Sequence, residues 1–339
     1  MKVHKLSFLA LILITFLTPS VFAADPWIGK LGVNFHLVPH FNKPEWTWTP
    51  SIRFRLNGPV ASSDVVWVEY TLPNGKPFVK VQCDGISAIG EEENLVVNDC
   101  GFRQEDDQAT NLTGLFGFQI KLANELTGTN KVLFSGKFNV GKTLYNPENL
   151  PDRTKQFYYH VDHDWRLPMA YVGVFYGDLS NDLLAEVWLK NRIIDQSKIM
   201  AYLMHNGKQV AEAWASFTLR AAPPEAPQQS YQLVQFRFNA MVEKPPSDSL
   251  ESHFKLYQNP GEYEIKVLRD GKLSRAFKFS IGADGRPVDT NNLVKQNSIA
   301  RVGALVPVQV LGESDGSWNK TAWKTDALWN NPVAGLSIP

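Results

Sequence analysis

The stretch YEIKVLRDGKLSRAFKFSIG, residues 263–282, carries the pattern that decides the fold. On both sides of Arg269-Asp270-Gly271-Lys272, short runs rich in aliphatic and aromatic residues alternate with polar residues. Alternation with a period of two places the apolar side chains on one face of a β-strand. Asp and Gly between two such runs are typical of a turn. The stretch therefore predicts a strand, a turn and a second strand.

The same pattern occurs earlier in the chain. FQIKLANELTGTNKVLFSGKFNVG, residues 118–141, also has Ile-Lys near its start, Lys-Phe near its end and a closing Gly. A second pair of segments, residues 54–76 and 187–208, ends in both cases with a Tyr four residues before Asn-Gly-Lys. Asn-Gly between apolar runs is the strongest short hairpin signal. Four matched segments in the same order predict an internal duplication of one fold.

The predicted fold class is all-β. The run LVQFRFNAMV, residues 233–242, alternates cleanly, and no long stretch has helical periodicity. The segment NPGEYEIKVLRDGKLSRAFKFSI, from Asn259, resembles the last hairpin of bacterial immunoglobulin-like and fibronectin-III-like domains, where a Pro-Gly turn leads into a strand that opens with Tyr, here Tyr263. The first copy departs from this pattern, with Phe118 in place of the Tyr. The resemblance implies two tandem immunoglobulin-like β-sandwich domains followed by an aromatic C-terminal tail.

The N-terminal segment is predicted to direct export. Lys2 and Lys5 precede an apolar run, residues 6–17, that is too short to span a bilayer, and Val21-Phe22-Ala23 offers small residues for cleavage. The predicted organisation is a signal peptide at 1–23, a first β-sandwich domain at 24–145, an interdomain connector at 146–164, a second β-sandwich domain at 165–284 and a C-terminal tail at 285–339. We expect a periplasmic or secreted protein with no transmembrane segment in the mature chain.

The cysteine count and the charge fit this expectation. Cys83 and Cys100 are the two cysteines of the chain, and in an exported protein they predict one disulfide. The chain has 34 basic and 34 acidic residues. The predicted signal peptide holds two of the lysines and no acidic residue, so the mature chain is nearly neutral. This balance excludes the basic excess that nucleic-acid binding requires.

The segment YYHVDHDWRLP, residues 158–168, concentrates candidate metal ligands: His160, Asp162, His163 and Asp164. Imidazole and carboxylate groups suit zinc and other divalent ions. In an extended chain, however, His163 points away from the other three, which spread over ~13 Å, too far for one ion. Two interpretations stay open. The segment is either a connector whose polar groups bond to both domains, or a metal site gathered by a tight loop.

Tryptophans offer a second kind of candidate site. Trp46 and Trp48 share one face of a predicted strand, and if exposed they would form a platform for sugar rings. The alternative is that they pack under the edge of a sheet. The tryptophans inside other predicted strands are assigned to the core or its margin: Trp67, Trp188 and Trp214.

The polar C-terminal tail carries three further tryptophans, Trp318, Trp323 and Trp329. Large aromatic side chains are enriched at interface hot spots, and tails that carry apolar groups are usually tied down. We therefore predict that the tail either folds back onto the sandwiches or docks on a partner.

The chain has no Gly-x-Ser-x-Gly, His-Glu-x-x-His, phosphate-binding or dinucleotide-binding motif. We expect an exported, non-enzymatic binding or scaffold protein that needs no cofactor and contacts an envelope or extracellular protein. The contact would come from loops, from an edge strand by β-augmentation, or from the tail. The first alternative is a carbohydrate-binding protein that uses Trp46 and Trp48, and the second is a metal-dependent hydrolase built on residues 160–164.

Overall fold

The computed structural model describes residues 25–29, 33–41, 45–83, 94–100, 108–145, 156–191, 198–220, 231–245, 251–290, 292–296, 302–313 and 315–320. The predicted signal peptide lies outside the described residues, as do Trp323, Trp329 and the first ten residues of the predicted connector.

The described chain is all-β, as predicted. Its strands are β1 Trp27–Ile28, β2 Asn34–His40, β3 Thr47–Asn57, β4 Asp64–Thr71, β5 Pro77–Gln82, β6 Asn94–Cys100, β7 Gly114–Asn124, β8 Thr129–Tyr145, β9 Gln156–Val161, β10 Met169–Tyr176, β11 Asn181–Lys190, β12 Ile199–His205, β13 Lys208–Arg220, β14 Tyr231–Met241, β15 Phe254–Lys255, β16 Gly261–Arg269, β17 Lys272–Ile281, β18 Gly303–Pro307 and β19 Gln309–Val310. The helices of the described residues are short: 3₁₀ turns at Asp164–Arg166 and Leu256–Gln258, and α1 at Leu293–Gln296. None of them is long and apolar enough to cross a membrane.

The first half of the described chain, strands β1 to β9, forms two antiparallel sheets. In one sheet β3 is central and pairs with β1, β2 and β6. The other sheet has the order β5-β4-β7-β8-β9. In β4, buried and partly exposed residues alternate along the strand, which shows that one face of this sheet lies on the core. The fully buried side chains between the sheets include Trp48, Ile52, Leu56, Val66, Val68, Phe116 and Ile120.

The second half, strands β10 to β19, forms one continuous run of pairing with the order β18-β10-β11-β14-β13-β12-β16-β17-β19. Strand β13 changes its pairing partner along its length. Its residues up to Trp214 pair with β12, and its residues from Ala215 pair with β14. The result is a sandwich-like arrangement around a second core. Its fully buried side chains include Val187, Leu189, Ala201, Leu203, Val234, Phe236, Phe238, Ile265 and Val267.

The hairpin turns of the second half confirm the turn prediction. Asn206 and Gly207 have φ of 50° and 75°, and Asp270 and Gly271 have φ of 52° and 74°. A type I′ turn requires positive φ at both central residues, and Asn, Asp and Gly adopt it most readily. These short turns fix the register of β12 with β13 and of β16 with β17.

Cys83 and Cys100 form the predicted disulfide, with a Cα–Cα distance of 4.4 Å. Both residues are buried. The bond joins the end of β5 in one sheet to the end of β6 in the other, so it links the two layers of the first half. Cross-links of this loop length stabilise small domains by about 3 kcal/mol.

Candidate functional site

Residues 158–168 lie where the two halves meet. Strand β9 ends at Val161, the 3₁₀ turn Asp164–Arg166 follows, and β10 begins at Met169. His160, His163 and Asp164 are buried, and Asp162 is half-buried. The segment is therefore a packed polar junction between the last strand of the first half and the first strand of the second.

Asp164 is the central acceptor of this junction. Its Oδ1 accepts hydrogen bonds from Lys190 Nζ at 2.8 Å and from the Tyr231 hydroxyl at 2.7 Å. Its Oδ2 accepts from the backbone N–H of Asn319 at 2.7 Å. The side chains of Lys190 and Asp164 are only 4% and 6% exposed, so this is a buried ion pair. Such a pair is tolerated because each charge has a counter-charge and further hydrogen bonds.

Asp162 shares part of this network. One of its oxygens accepts from the backbone N–H of Asp164 at 2.8 Å and from the Tyr231 hydroxyl at 3.1 Å. Burial raises the pKa of Asp162, and the neighbouring carboxylate of Asp164 raises it further. The two carboxylates thus face a common hydroxyl donor.

Residues 315–319 of the predicted tail fold back onto this junction. Asp315 Oδ1 accepts from the backbone N–H of Lys190 at 2.8 Å, and its Oδ2 lies 2.6 Å from the guanidinium of Arg275. Lys190 Nζ also donates to the backbone carbonyl of Ser317 at 2.8 Å. Trp318 is half-buried. Residues 315–319 are consequently held by buried ionic and backbone contacts with β11 and β17.

The four candidate metal ligands lie close together in sequence. Within the described ranges, which include all four of them, no group of three or more His, Cys, Asp or Glu side chains is placed to hold a metal ion. Asp164 is instead paired with Lys190. The contacts of His160, Asp162, His163 and Asp164 in the described residues therefore fit the connector interpretation and give no support to the metal site.

Both histidines of the junction have low pKa values. Burial lowers the pKa of His160 to about 4, and the charge of Lys190 acts in the same direction. Burial also lowers the pKa of His163 well below its usual range, with a further contribution from Arg166. Both rings are therefore neutral at pH 7.

This burial predicts a loss of stability in mild acid. Between pH 4 and 6.5 the unfolded chain protonates His160 and His163 while the folded chain keeps them neutral. Each histidine then lowers the free energy of unfolding by up to about 1.4 kcal/mol for each pH unit below 6.5. Asp162 has a raised pKa, so its protonation instead favours the folded chain near the acid end of this range.

Urea unfolding from pH 7.5 to 5 measures the effect. We expect the free energy of unfolding to fall less steeply with decreasing pH in a His160→Gln/His163→Gln double variant than in the parent protein. An equal slope in both proteins would contradict a role for these two rings.

Trp46 and Trp48 do not form a shared exposed platform. Trp48 is 0% exposed, its Nε1 donates to the backbone carbonyl of Leu112 at 3.1 Å, and its ring packs edge-on against Phe116. Trp46 is half-buried and contacts the ring of Tyr158. Of the two interpretations left open by the sequence, packing under the sheet therefore fits Trp48, because the face of β3 that carries it lies on the core.

A partly exposed apolar surface lies instead on the outer face of β13, β12, β16 and β17, where Trp214 and Leu273 are exposed and Met200 and Leu268 are half-buried. Trp214 on β13 is 57% exposed and lies opposite Met200 on β12. Met200 lies opposite Leu268 on β16, which lies opposite the exposed Leu273 on β17. We call these four residues the apolar row. Directly paired residues share a face of the sheet, so the row is continuous across four strands.

Polar residues border the apolar row on one side. Tyr202 is the next residue after Met200 on the outer face of β12. It lies opposite Glu212 on β13 and opposite Lys266 on β16. The Tyr202 hydroxyl donates to the sulfur of Met200 at 3.3 Å. An acidic and a basic side chain therefore flank an aromatic and aliphatic strip.

The sequence assigned Trp214 to the core or its margin, and this was wrong. In AEAWASF, residues 211–217, strand alternation places Ala213 and Ala215 on one face, and both are buried. Trp214 shares the other face with Glu212 and Ser216, which are exposed. The polar neighbours at these alternate positions are the signal that would have placed Trp214 outside.

Comparison with protein-family models finds no match, and no curated protein matches the chain. We therefore infer function from the residues of the chain itself.

Proposed function

We propose that this protein is an exported, non-enzymatic binding or scaffold protein that contacts an envelope or extracellular protein through the apolar row. The observation that carries the proposal is Trp214, a large aromatic side chain that is more than half exposed in line with Met200, Leu268 and Leu273. Contiguous exposed apolar surface with a polar border is typical of interaction sites. Trp and Met are enriched at interface centres.

The same proposal includes two tandem immunoglobulin-like domains related by duplication. Equivalent strands pair in the same way in both halves: β3 with β6 corresponds to β11 with β14, and β7 with β8 corresponds to β16 with β17. Strand β4 pairs with β5 and β7, as β12 pairs with β13 and β16. The matched sequence segments fall on these strands, which supports descent of both halves from one unit.

Export is supported by the apolar N-terminal segment and by the Cys83–Cys100 disulfide, since disulfides persist mainly in oxidising compartments. Both features are typical of a periplasmic or secreted protein.

A protein partner fits the apolar row better than a glycan. The neighbours of Trp214 along the row are the flexible or aliphatic side chains Met200, Leu268 and Leu273, which pack against other apolar side chains. A sugar ring needs polar groups around an aromatic plane to bond its hydroxyls, and these are confined to one side of the row. The pair Trp46 and Trp48 offers no alternative platform, because Trp48 is buried.

The test places a photo-crosslinking amino acid at Glu212, beside the row, in the mature protein within its own cell envelope. We expect one dominant crosslinked protein, identified by mass spectrometry and then used as a purified ligand. Trp214→Ala should weaken its binding by about 30-fold, the effect of removing a 2 kcal/mol hot spot. The free energy of unfolding should change little, because the side chain is exposed.

Leu126→Ala is the matched control, since Leu126 is 85% exposed on the β7–β8 turn of the first half. It should bind as the parent protein does. Equal affinity of the parent protein and Trp214→Ala for the crosslinked protein would contradict the proposal, as would the absence of any product from position 212.

A further inference from the structure

The face that carries the apolar row continues as two further rows of directly paired residues. The first of these contains Glu212, Tyr202, Lys266 and Ala276, and the second contains Gln209, Met204, Glu264 and Lys278. In both rows the residues come from β13, β12, β16 and β17 in that order, so they share the outer face with the apolar row. Glu212, Gln209 and Lys278 are exposed, so this face is accessible to a second protein.

Charge is unequal on the two sides of this face. On the β13 side, Glu212 provides a negative charge. On the opposite side, Lys266 and Lys278 outnumber Glu264, whose carboxylate lies 3.5 Å from the Lys266 ammonium group. One side of the two polar rows is therefore negative, and the other side has a net positive charge.

These features make the face complementary to itself. A two-fold axis parallel to the strands, between β12 and β16, exchanges the two sides of the face. In a face-to-face pair of copies, this axis would set Trp214 over Leu273 of the second copy. Met200 would likewise lie over Leu268 of the second copy. Each apolar row would then cover the other, with the strands of the two sheets nearly aligned, as in other face-to-face sheets.

The same axis would bring opposite charges together. Glu212 of one copy would lie beside Lys266 and Lys278 of the other, and symmetry would repeat this contact. An axis across the strands, through the row of Tyr202, would instead place Glu212 on Glu212 and Lys266 on Lys266. Like charges opposed in this way are unfavourable, so the charges favour the axis parallel to the strands.

We infer that the protein bound at the apolar row is a second copy of this chain, and that the two copies form a symmetric dimer. The apolar row is the contact surface of the proposed function, on which this inference rests, and the second copy is its partner. With about 4.8 Å between strands and about 6.7 Å between alternate residues, the three rows cover roughly 20 by 20 Å. This is about half of the ~800 Å² per partner that a stable interface buries, so the dimer is weak and reversible.

Sedimentation velocity of the purified mature chain, from low to high micromolar concentration, measures self-association. We expect a reversible monomer–dimer equilibrium. Trp214→Ala should raise the dissociation constant at least tenfold, because the second copy loses the contact of a large aromatic ring. Leu126→Ala, at an exposed position of the first half, should leave the dissociation constant unchanged.

A charge reversal with a matched control tests the electrostatic contact. Lys266→Glu should raise the dissociation constant at least fivefold, because it sets a like charge beside Glu212 of the second copy. Lys76→Glu makes the same change of charge at an exposed position of the first half and should have no effect. The double variant Glu212→Lys/Lys266→Glu restores opposite charges across the axis and should recover most of the affinity.

Single cysteines test the direction of the axis. Face-to-face sheets lie about 10 Å apart, so a bifunctional thiol reagent of about that reach should join Trp214→Cys of one copy to Leu273→Cys of the other. The product should form when the two single variants are mixed. It should not form with either variant alone, because two copies of the same position lie on opposite sides of the paired faces.

A chain that stays monomeric at every concentration would overturn the inference. The same holds if Trp214→Ala associates as tightly as the parent protein, if Lys266→Glu associates as tightly as Lys76→Glu, or if Trp214→Cys is joined to itself rather than to Leu273→Cys. Crosslinking at position 212 in the cell envelope separates the two proposals. A different protein captured there by a monomeric chain would overturn the dimer and leave the proposed function intact, whereas a monomeric chain with no captured product would overturn both.

Discussion

Replacement of Asp164 with alanine should lower the free energy of unfolding by about 3–5 kcal/mol, the usual cost of leaving a buried charge without its partner. The change removes the counter-charge of Lys190, whose ammonium group is almost completely buried. It also removes the hydrogen bond from the Asn319 backbone N–H and the shorter of the two bonds of the Tyr231 hydroxyl, which keeps only its longer bond to Asp162. Each lost hydrogen bond adds to the cost.

Urea unfolding at pH 7, followed by tryptophan fluorescence, measures this effect. Glu69→Ala is the control. Glu69 pairs with Lys121 and Lys80, but its side chain is one-third exposed, so the expected loss is below about 1 kcal/mol. The double variant Asp164→Leu/Lys190→Met removes both charges and should recover most of the stability lost by Asp164→Ala. Similar losses for Asp164→Ala and Glu69→Ala would contradict the buried ion pair.

The junction joins three parts of the chain through few polar groups. Asp164 is bonded to β11 through Lys190 and to the tail through Asn319, while Asp315 bonds the tail to both β11 and β17. Because the partners are fixed by hydrogen bonds in a buried site, a change at Asp164 should also loosen residues 315–320. The polar segment that first suggested a metal site thus has a structural role in this network.

The hairpins could be predicted because they depend on the local sequence of the turn, and the disulfide because the chain offers only one cysteine pair. Asn206-Gly207 and Asp270-Gly271 adopt the positive φ that a type I′ turn requires, so the turn chemistry locates these hairpins. Cys83 had only Cys100 as a partner. Strand alternation likewise predicted which residues share a face.

The contacts of the site depend on residues far apart in sequence. Asp315 pairs with Arg275, although α1, β18 and β19 lie between them in the sequence. Arg166 lies between Trp165 and Trp188 only because β11 packs against the junction. Alternation alone also does not say which face of a strand is inward. That choice needs the polarity of the residues on each face, here Glu212 and Ser216, and the assignment of Trp214 to the core or its margin did not use it.

Trp48→Ala should cost about 3–5 kcal/mol of unfolding free energy, the range for removing a large aromatic side chain from a core. The ring is fully buried against Phe116 and Phe138, which leaves little room for the structure to collapse around the cavity. The change also deprives the Leu112 carbonyl of its hydrogen bond from Trp48 Nε1.

Trp46→Ala is the natural comparison, because Trp46 lies two residues away but is half-buried among Phe41 and Tyr158. Loss of these aromatic contacts should cost about 1–2 kcal/mol, clearly less than the change at Trp48. Chemical unfolding of both variants separates core packing from a surface role. If Trp48→Ala were as stable as the parent protein and had lost binding to a glycan array, an exposed sugar platform would replace the buried ring described above. A large loss of stability at Trp48 and a small one at Trp46 would assign Trp48 to the core and would be consistent with the proposal that binding uses the exposed Trp214 instead.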